Sequence, residues 1–424
     1  MTAVVGRITG ATVARRASTK TDPLQRDRHQ PDYAILISVV ALTAVGVLMV
    51  YSSSAIKAYL GPNNDTFAVV GPQVFWAALG FVAMFVMARV DYRYLRLISV
   101  PAYIVALVLL VLVFAPSLNR VVGGSARFLQ VGPLPAIHPA EIGKIALVIY
   151  LAHWFAKKGG RVRGFWGGTV AFLVIVAPIV LLVIAEPDLG TTAVIALTAL
   201  TMFFVAGASL SHLVALGGIG LTGVVMVVAS HAYQLDRIRA FLDPWKDPLG
   251  IGRQTIQGLL ALALGGLFGA GLGESRLAGG LFLPNASNDF IFAIIGEEFG
   301  LIGAGLVIVL FLVIAYQGVR TALTAPDTFG ALLAAGITAW LCIQAFINIA
   351  VVVALVPITG ITLPFVSAGG SSLSISLAAA GILLSISRET VERGTWNDAA
   401  ADRGRRHGRA HLPGSRRRSL APKP

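Results

Sequence analysis

Long apolar stretches separated by short polar segments dominate the pattern of this chain. A helix needs about 20 apolar residues to cross the hydrocarbon core of a bilayer, and ten stretches approach that length. The pattern therefore predicts an all-α polytopic membrane protein with about ten transmembrane helices. The predicted spans are residues 33–53, 68–88, 98–115, 142–156, 167–185, 190–207, 212–230, 300–317, 330–356 and 372–387.

The composition agrees with a membrane protein and excludes a soluble domain. Hydrophobic residues make up 56% of the 424 residues and charged residues only 12%, about half the usual share in soluble proteins. The single cysteine, Cys342, excludes an intrachain disulfide.

The net charge of +13 is concentrated in two polar tails, residues 1–32 and 389–424, of which the second is predicted to be disordered. Basic tails bind nucleic acid or anionic lipid, or they are cytoplasmic tails that follow the positive-inside rule. We favour the second interpretation and predict no nucleic-acid partner. With both termini in the cytoplasm, 24 of the 33 Lys and Arg residues lie on the inner side.

Residues 231–299 form one long extracytoplasmic segment, and long loops are commonly functional. Within it, residues 254–264 predict a short apolar helix that lies along the membrane or dips into it. Asp289 precedes an apolar run, so it is either a general base with a raised pKa or the N-cap of a helix. Glu297 and Glu298 are metal ligands or structural acids.

Three smaller polar groups lie at the outer ends of predicted spans. Glu141 and Lys144 share one helical face, and both an ion pair and a functional pair are open because charge there is costly. Glu186 and Asp188 are ligands or, with slight preference, helix caps. Residues 357–372 carry glycines and hydroxyls before the last helix, which is an anion site or an ordinary helix start.

The wording and order of these segments resemble the SEDS family, the FtsW/RodA proteins of bacterial cell-wall synthesis. The matching runs are SARFLQVGP, HPAEIGK, EPDLGT, RIRAFLDPWKDPLGIGRQ, LPNASNDFIFAIIGEEFG and ITLPFVSAGGSS. They fall within residues 33–388. The run AFLDPWKDP is closer in wording to the FtsW (division) branch than to the RodA (elongation) branch.

The resemblance implies a peptidoglycan glycosyltransferase that polymerises lipid II, a polyprenyl-pyrophosphate-linked disaccharide peptide, outside the bacterial cytoplasmic membrane. The implied partners are a class B penicillin-binding protein and divisome or elongasome membrane proteins. The family's essential aspartate falls on Asp289. The Glu and Lys of its PxE–K motif fall on Glu141 and Lys144, and the arginine of its GAxRW motif falls on Arg127.

The implied reaction defines the candidate site. A carboxylate must take the proton of a sugar hydroxyl, which suits Asp289, and cations, N–H groups or a divalent metal such as Mg²⁺ or Mn²⁺ must stabilise the departing pyrophosphate. No metal ligands are assigned. The predicted substrate-binding residues are Arg127, Glu141, Lys144, Arg237, Arg239, Ser367, Gly369, Gly370, Ser371 and Ser372.

The chain departs from the family's wording near this implied site. Phe128 replaces a Trp, Ser287 and Asn288 replace His and Thr, Asn285 replaces a common Glu, and Ala368 replaces a Tyr. Two alternatives to an enzyme therefore stay open. One is a lipid II flippase, which is disfavoured because it needs a polar path through the largely charge-free spans. The other is a non-catalytic scaffold for the penicillin-binding protein.

Overall fold

The structure is a computed structural model of the chain, and it describes residues 30–61, 64–122, 125–130 and 136–389. The two predicted tails therefore lie outside the described residues, except for 30–32 and Glu389. Thirteen α-helices form the described part. They are α1 (Tyr33–Tyr59), α2 (Val70–Arg89), α3 (Tyr94–Leu112), α4 (Pro139–Lys158), α5 (Ala171–Ala185), α6 (Leu189–Val205), α7 (Leu210–Ser230), α8 (Ala232–Leu242), α9 (Arg253–Gly265), α10 (Arg276–Gly279), α11 (Ile291–Thr324), α12 (Thr328–Val352) and α13 (Ser371–Ser387).

Each of the ten predicted spans coincides with one of these helices. Within the described residues, seven helices are long and apolar enough to cross a membrane. They are α1, α2, α3, α5 with the π-helical turn before it, α7, α11 and α12. The multi-pass helical architecture is confirmed. The number ten stays a prediction, because α6 and α13 are shorter and α4 carries more charge.

One β-hairpin interrupts the helical pattern in the described part of the chain, and the predicted all-α class is confirmed. Strands β1 (Asn119–Val122) and β2 (Ser125–Leu129) pair antiparallel. Valines favour strands, and the intervening Gly123-Gly124 favours a tight turn in sequence. The hairpin places β2 beside the start of α4.

Helices α2 and α13 pack against each other closely. A Cβ atom on Gly80 would lie 2.5 Å from the Leu377 side chain, and one on Gly381 would lie 2.4 Å from the Met84 carbonyl oxygen. Ser374 Oγ also donates a 2.6 Å hydrogen bond across the interface to a carbonyl of α2. Small residues and interhelical hydrogen bonds hold helices together in lipid, where the solvent is as apolar as the side chains.

The start of α11 differs from the prediction. A span was expected from residue 300, but the helix begins at Ile291 and kinks at Gly300, which has φ +66°. A Cβ atom on Gly300 would lie 2.5 Å from Leu267 O and Gly269 N, so only glycine allows this approach. Glu297 and Glu298 lie inside α11. The hydroxyl of Ser275 donates a hydrogen bond to Glu297, and that of Ser52 donates one to Glu298.

The segment 231–299 contains α8, α9 and α10, which confirms the expected short helices in the long loop. Helix α9 matches the apolar helix predicted at 254–264 and packs against α11 and α12. Helix α8 follows α7 directly and contacts it. Of these elements, α8 and strand β2 of the hairpin contribute residues to the lining of the site described next.

Candidate active site

A cavity of about 440 Å³ opens where β2, the start of α4, α8, the segment before α11 and the loop before α13 meet. Most of the predicted site residues line it. They are Arg127, Glu141, Arg237, Asp289, Gly369, Gly370 and Ser372. The fold therefore brings into one space residues that are far apart in sequence.

Asp289 lies in the wall of this cavity and is only 6% exposed. Its Oδ1 atom has no hydrogen-bond partner among the described residues. The N-cap of α11 is Phe290, without a side-chain cap, so the helix-cap interpretation of Asp289 is wrong. Burial raises the pKa of Asp289 to about 6, although its own backbone N–H and Arg237 oppose the shift. A carboxylate with this pKa is suited to accept a proton near neutral pH.

Arg237 projects from α8 toward Asp289. Its Nη1 donates to Ile358 O (3.0 Å) and its Nη2 donates to the Tyr233 hydroxyl (2.5 Å). A Cβ atom placed on Gly360 would lie 3.9 Å from both Arg237 Nη2 and Asp289 Oδ2. The guanidinium and the carboxylate therefore border the same small space.

Arg127, which also lines the cavity, is held by the turn between α5 and α6. Its Nε donates to Glu186 O (3.2 Å) and its Nη2 donates to Pro187 O (2.7 Å). Burial raises the pKa of Glu186 to about 8, the charge of Asp188 adds to the shift, and Arg127 opposes it. Asp188 accepts from Thr191 N at 3.0 Å as the N-cap of α6, so the cap interpretation of Asp188 is confirmed.

Glu141 and Lys144 form a buried ion pair on α4. Glu141 Oε2 lies 2.7 Å from Lys144 Nζ. Lys144 Nζ also donates to Gln344 Oε1 (2.6 Å) and lies 5.1 Å from the centre of the Trp340 ring. Glu141 lines the cavity, whereas Lys144, 3% exposed, lies behind that lining. A direct phosphate contact of Lys144 stays a prediction.

The glycine-serine loop before α13 is docked onto the segment that carries Asp289. Ser367 Oγ donates to Asn288 O (2.6 Å) and accepts from Leu363 N (2.8 Å), while Ala368 N donates to Ser287 O (2.9 Å). Ser367 thus joins two loops.

Asn348 on α12 holds the same two loops in place. Its Nδ2 donates to Asp289 O (2.8 Å) and Ile361 O (2.7 Å). Ser371 accepts from His138 N (3.1 Å) and so joins α13 to the start of α4. These contacts set the position of the Asp289 backbone while leaving its carboxyl group free to face the cavity.

Two further predicted residues lie away from the cavity. Arg239 has a side chain that is 69% exposed and pairs with Asp236 (3.0 Å) on the outer surface of α8. Glu297 accepts hydrogen bonds from Ser275 Oγ and from backbone N–H groups of α10. The structural interpretation of Glu297 is therefore confirmed.

Comparison with known proteins decides the family. The model of a family described as "Cell cycle protein", which comprises FtsW, RodA and SpoVE, matches residues 33–392. The chain belongs to this FtsW/RodA/SpoVE family. It is therefore a multi-pass membrane protein of the class that the sequence motifs predicted.

Individual relatives of this family cover most of the chain. Stage V sporulation protein E of Bacillus subtilis is 44% identical over 358 residues, which are 84% of this chain and 97% of the relative. A Geobacter protein named "Probable peptidoglycan glycosyltransferase FtsW" is 38% identical over 84% of this chain and 96% of its own length.

Solved structures of family members share the fold. The crystal structure of RodA from Thermus thermophilus is 25% identical, with a TM-score of 0.62, and the match covers 85% of this chain and 98% of that one. A chain of a peptidoglycan synthase complex, described as coordinating polymerization and crosslinking, is 27% identical with a TM-score of 0.69. That match covers 85% of this chain and 99% of the other.

The FtsW/RodA-type cavity also contains residues that the sequence did not single out. His138, Tyr233 and Thr362 are part of its lining. His138 had a signal available, because it is an ionisable residue three positions before Glu141 at the start of a span. The other two are neutral, and only the fold shows that they face the cavity.

Proposed function

We propose that the protein is a peptidoglycan glycosyltransferase that polymerises lipid II into glycan strands. The observation that carries this proposal is the buried Asp289 carboxyl group, whose Oδ1 has no partner among the described residues and which shares a cavity with Arg127 and Arg237. Membership of the FtsW/RodA/SpoVE family and the name of the Geobacter relative support it.

We assign the role of general base in this reaction to Asp289. The hydroxyl oxygen of the acceptor sugar attacks the anomeric carbon of the donor, and the bond from that carbon to the polyprenyl pyrophosphate breaks. The hydroxyl proton passes to the Asp289 carboxylate. Its burial keeps the carboxylate poorly solvated and therefore more basic than an exposed aspartate.

The leaving pyrophosphate gains negative charge as the bond breaks, and fixed positive groups lower the energy of that state. Arg237 lies beside Asp289, and Arg127 lies in the same cavity. The N-terminus of α13, with Gly369, Gly370 and Ser372 in the lining, is oriented as helices are in anion sites.

A divalent cation fits this site only together with substrate. The described residues contain no group of three or more His, Cys, Asp or Glu side chains that could hold a metal. Mg²⁺, however, is commonly bound by one or two carboxylates plus substrate phosphates, and Asp289 has a free carboxylate oxygen. When bound there with pyrophosphate, Mg²⁺ or Mn²⁺ would supply further positive charge to the leaving group.

A class B penicillin-binding protein is the proposed partner, within the divisome or elongasome. The similar chain from a complex that coordinates polymerization and crosslinking supports it, because crosslinking is the reaction that such a partner catalyses. The exposed apolar faces of α7 and α11 offer intramembrane surface to lipid or to a partner helix.

The proposed location is the bacterial cytoplasmic membrane, with both termini in the cytoplasm and the cavity outside. The excess of Lys and Arg in the loops and tails of the inner side supports this orientation. A membrane-impermeant thiol reagent should modify a cysteine placed at Asn285 in intact cells and spare one placed at Ser419. The reverse pattern would contradict an external site.

Polymerisation of purified lipid II by the purified protein, alone and with its penicillin-binding protein, tests the proposed function. We expect glycan strands that lengthen with time. A flippase would move lipid II across vesicle membranes without forming strands. A non-catalytic scaffold would give no strands, alone or with its partner, because the partner catalyses crosslinking and not polymerisation.

A further inference from the structure

His138 is a titratable residue of the cavity lining, with a side chain that is 14% exposed, and the reaction above does not use it. It occupies the N-cap position of α4, but its side chain makes no cap hydrogen bond. Its backbone N–H is bound by Ser371 Oγ. Ser371 therefore holds the backbone of His138 in place, and the imidazole does not cap α4.

One ring nitrogen of His138 faces a fixed carboxylate. His138 Nε2 lies 3.7 Å from Asp188 Oδ2. Thr191 holds that carboxylate, because its N–H donates to Oδ1 (3.0 Å) and its hydroxyl donates to Oδ2 (2.8 Å). The separation exceeds an ordinary hydrogen bond, and contacts of this kind commonly tighten when substrate binds. A carboxylate next to Nε2 favours the tautomer with the proton on Nε2.

The other ring nitrogen is an unused acceptor. His138 Nδ1 is buried and has no hydrogen-bond partner among the described residues. The Phe128 ring packs edge-on against the imidazole, with centroids 5.0 Å apart and an interplanar angle of 81°. This contact restricts the ring, and His138 is part of the cavity lining. A buried acceptor without a partner is costly unless a ligand completes it.

The charge state of the imidazole fits an acceptor. Burial lowers the pKa of His138, and the charges of Lys144 and Arg127 lower it further, whereas Asp188 and Glu141 oppose the shift. These groups come from α4, β2 and the start of α6. The ring is therefore neutral at pH 7, and Nδ1 retains its lone pair.

We infer that His138 is a substrate-positioning residue whose Nδ1 accepts a hydrogen bond from a sugar hydroxyl or amide N–H in the cavity, with Asp188 fixing the ring. This inference rests on the proposed function. No proton is transferred to His138, because Asp289 is the base. The substrate group involved is a neutral hydrogen-bond donor, in contrast to the phosphates that face Arg127 and Arg237.

Steady-state polymerisation of lipid II by the purified protein with its partner tests this role. His138→Phe keeps an aromatic ring and removes the acceptor, so KM for lipid II should rise about tenfold while kcat changes less than about threefold. His138→Asn places an amide oxygen near the position of Nδ1 and should restore most of the affinity. If the Phe variant does not fold, His138→Leu takes its place.

The pH dependence of KM adds a readout that a packing role does not move. Protonation turns Nδ1 from an acceptor into a donor, so KM of the parent should rise as the pH falls through the lowered pKa of His138. The same rise should be absent in His138→Asn. The effect of Asp289 on kcat persists in both proteins and so separates the two groups.

Three results would overturn the inference. The first is an unchanged KM in the Phe and Leu variants, with the parent active, which leaves the proposed function intact. The second is a fall in kcat alone that Asn does not restore, which assigns the ring to packing or proton transfer. The third is a parent that forms no strands, which contradicts the proposed function itself.

Discussion

Asp289 and Glu297 are two buried carboxyl groups at the outer start of α11, and their surroundings differ in one respect. Glu297, 1% exposed, accepts hydrogen bonds from Ser275 Oγ (2.5 Å) and Arg276 N (2.8 Å). Asp289 has an oxygen without a partner among the described residues and faces a cavity. Burial alone therefore does not mark a functional acid; Asp289 combines burial with an unpartnered oxygen and a place in the cavity lining.

Residues that line the cavity differ in the same way from residues packed behind the lining: the former include unpartnered polar groups, and the latter are hydrogen-bonded. Behind the lining, Lys144 is fully used by Glu141, Gln344 and the Trp340 ring. Partnered groups of this kind hold the fold in one arrangement. Unpartnered groups lower the stability of the folded state and are retained where chemistry or binding needs them.

The largest effect is expected at Asp289. Asp289→Asn keeps size and polarity but cannot accept a proton, so lipid II polymerisation should fall about 100-fold or more. Strand formation is measured with the purified variant and its partner. Near-parental polymerisation would contradict the role of Asp289 as the base and would require a different group to take the proton.

The stability of the same variant serves as its control. The folded-state pKa of Asp289, about 6, lies above the ordinary value of 3.8. Stability that depends on the protonated form is present below 3.8 and is lost as the pH rises through 6. At pH 7 the buried charge is therefore unfavourable, and Asp289→Asn should melt at the same or a higher temperature than the parent. A lower melting temperature would assign the carboxylate a structural task.

The second largest effect is expected at Arg237, one of two arginines on α8 that can be compared directly. Arg237 lies in the cavity wall, whereas Arg239 is exposed and paired with Asp236. Loss of one charged hydrogen bond costs about 2 kcal/mol, so Arg237→Gln should lower kcat/KM for lipid II about 30-fold. Arg239→Gln removes the same charge and should change it less than about twofold. Equal losses in the two variants would show that net charge, not position, matters.

A smaller effect follows from the pKa of the cavity carboxyl group. Because burial raises the pKa of Asp289 to about 6, the base is mostly ionised at pH 7 and mostly protonated at pH 5. We expect kcat of the parent to fall about tenfold between pH 7 and pH 5. Polymerisation is followed at saturating lipid II over that range. A constant kcat down to pH 5 would mean that Asp289 keeps an ordinary pKa.

The sequence was sufficient for the helices and for part of the site. Apolar runs identify each helix that crosses the core, since every predicted span coincides with one helix. The predicted start of α11 at residue 300 is wrong, because Gly300 is a kink inside a longer helix that begins at Ile291. Local pattern does not reveal that Glu297 is satisfied by residues of the preceding loop.

The sequence does not reveal which candidate side chains face the cavity where this depends on neighbours distant in sequence. Lys144 and Arg239 carry the right charge, but one is behind the cavity lining and the other is on the outer surface. His138 was passed over because its orientation depends on Asp188. The sequence motifs indicate the type of reaction. The neighbours of each side chain in the folded protein determine which side chains remain free to take part in it.

The smallest effect on activity is expected at Glu297, and it tests the comparison from its other side. Glu297→Ala removes the acceptor of Ser275 Oγ and of two backbone N–H groups of α10. Hydrogen bonds to charged groups contribute about 1.5–3 kcal/mol each, so the melting temperature should fall clearly. Glu297 is not part of the cavity lining, so polymerisation per folded molecule should change less than about threefold.

Glu297→Gln keeps an oxygen acceptor and should melt between the parent and the Ala variant. If Glu297→Ala melted like the parent and lost polymerisation as Asp289→Asn does, hydrogen-bond saturation would no longer separate structural from catalytic acids in this protein.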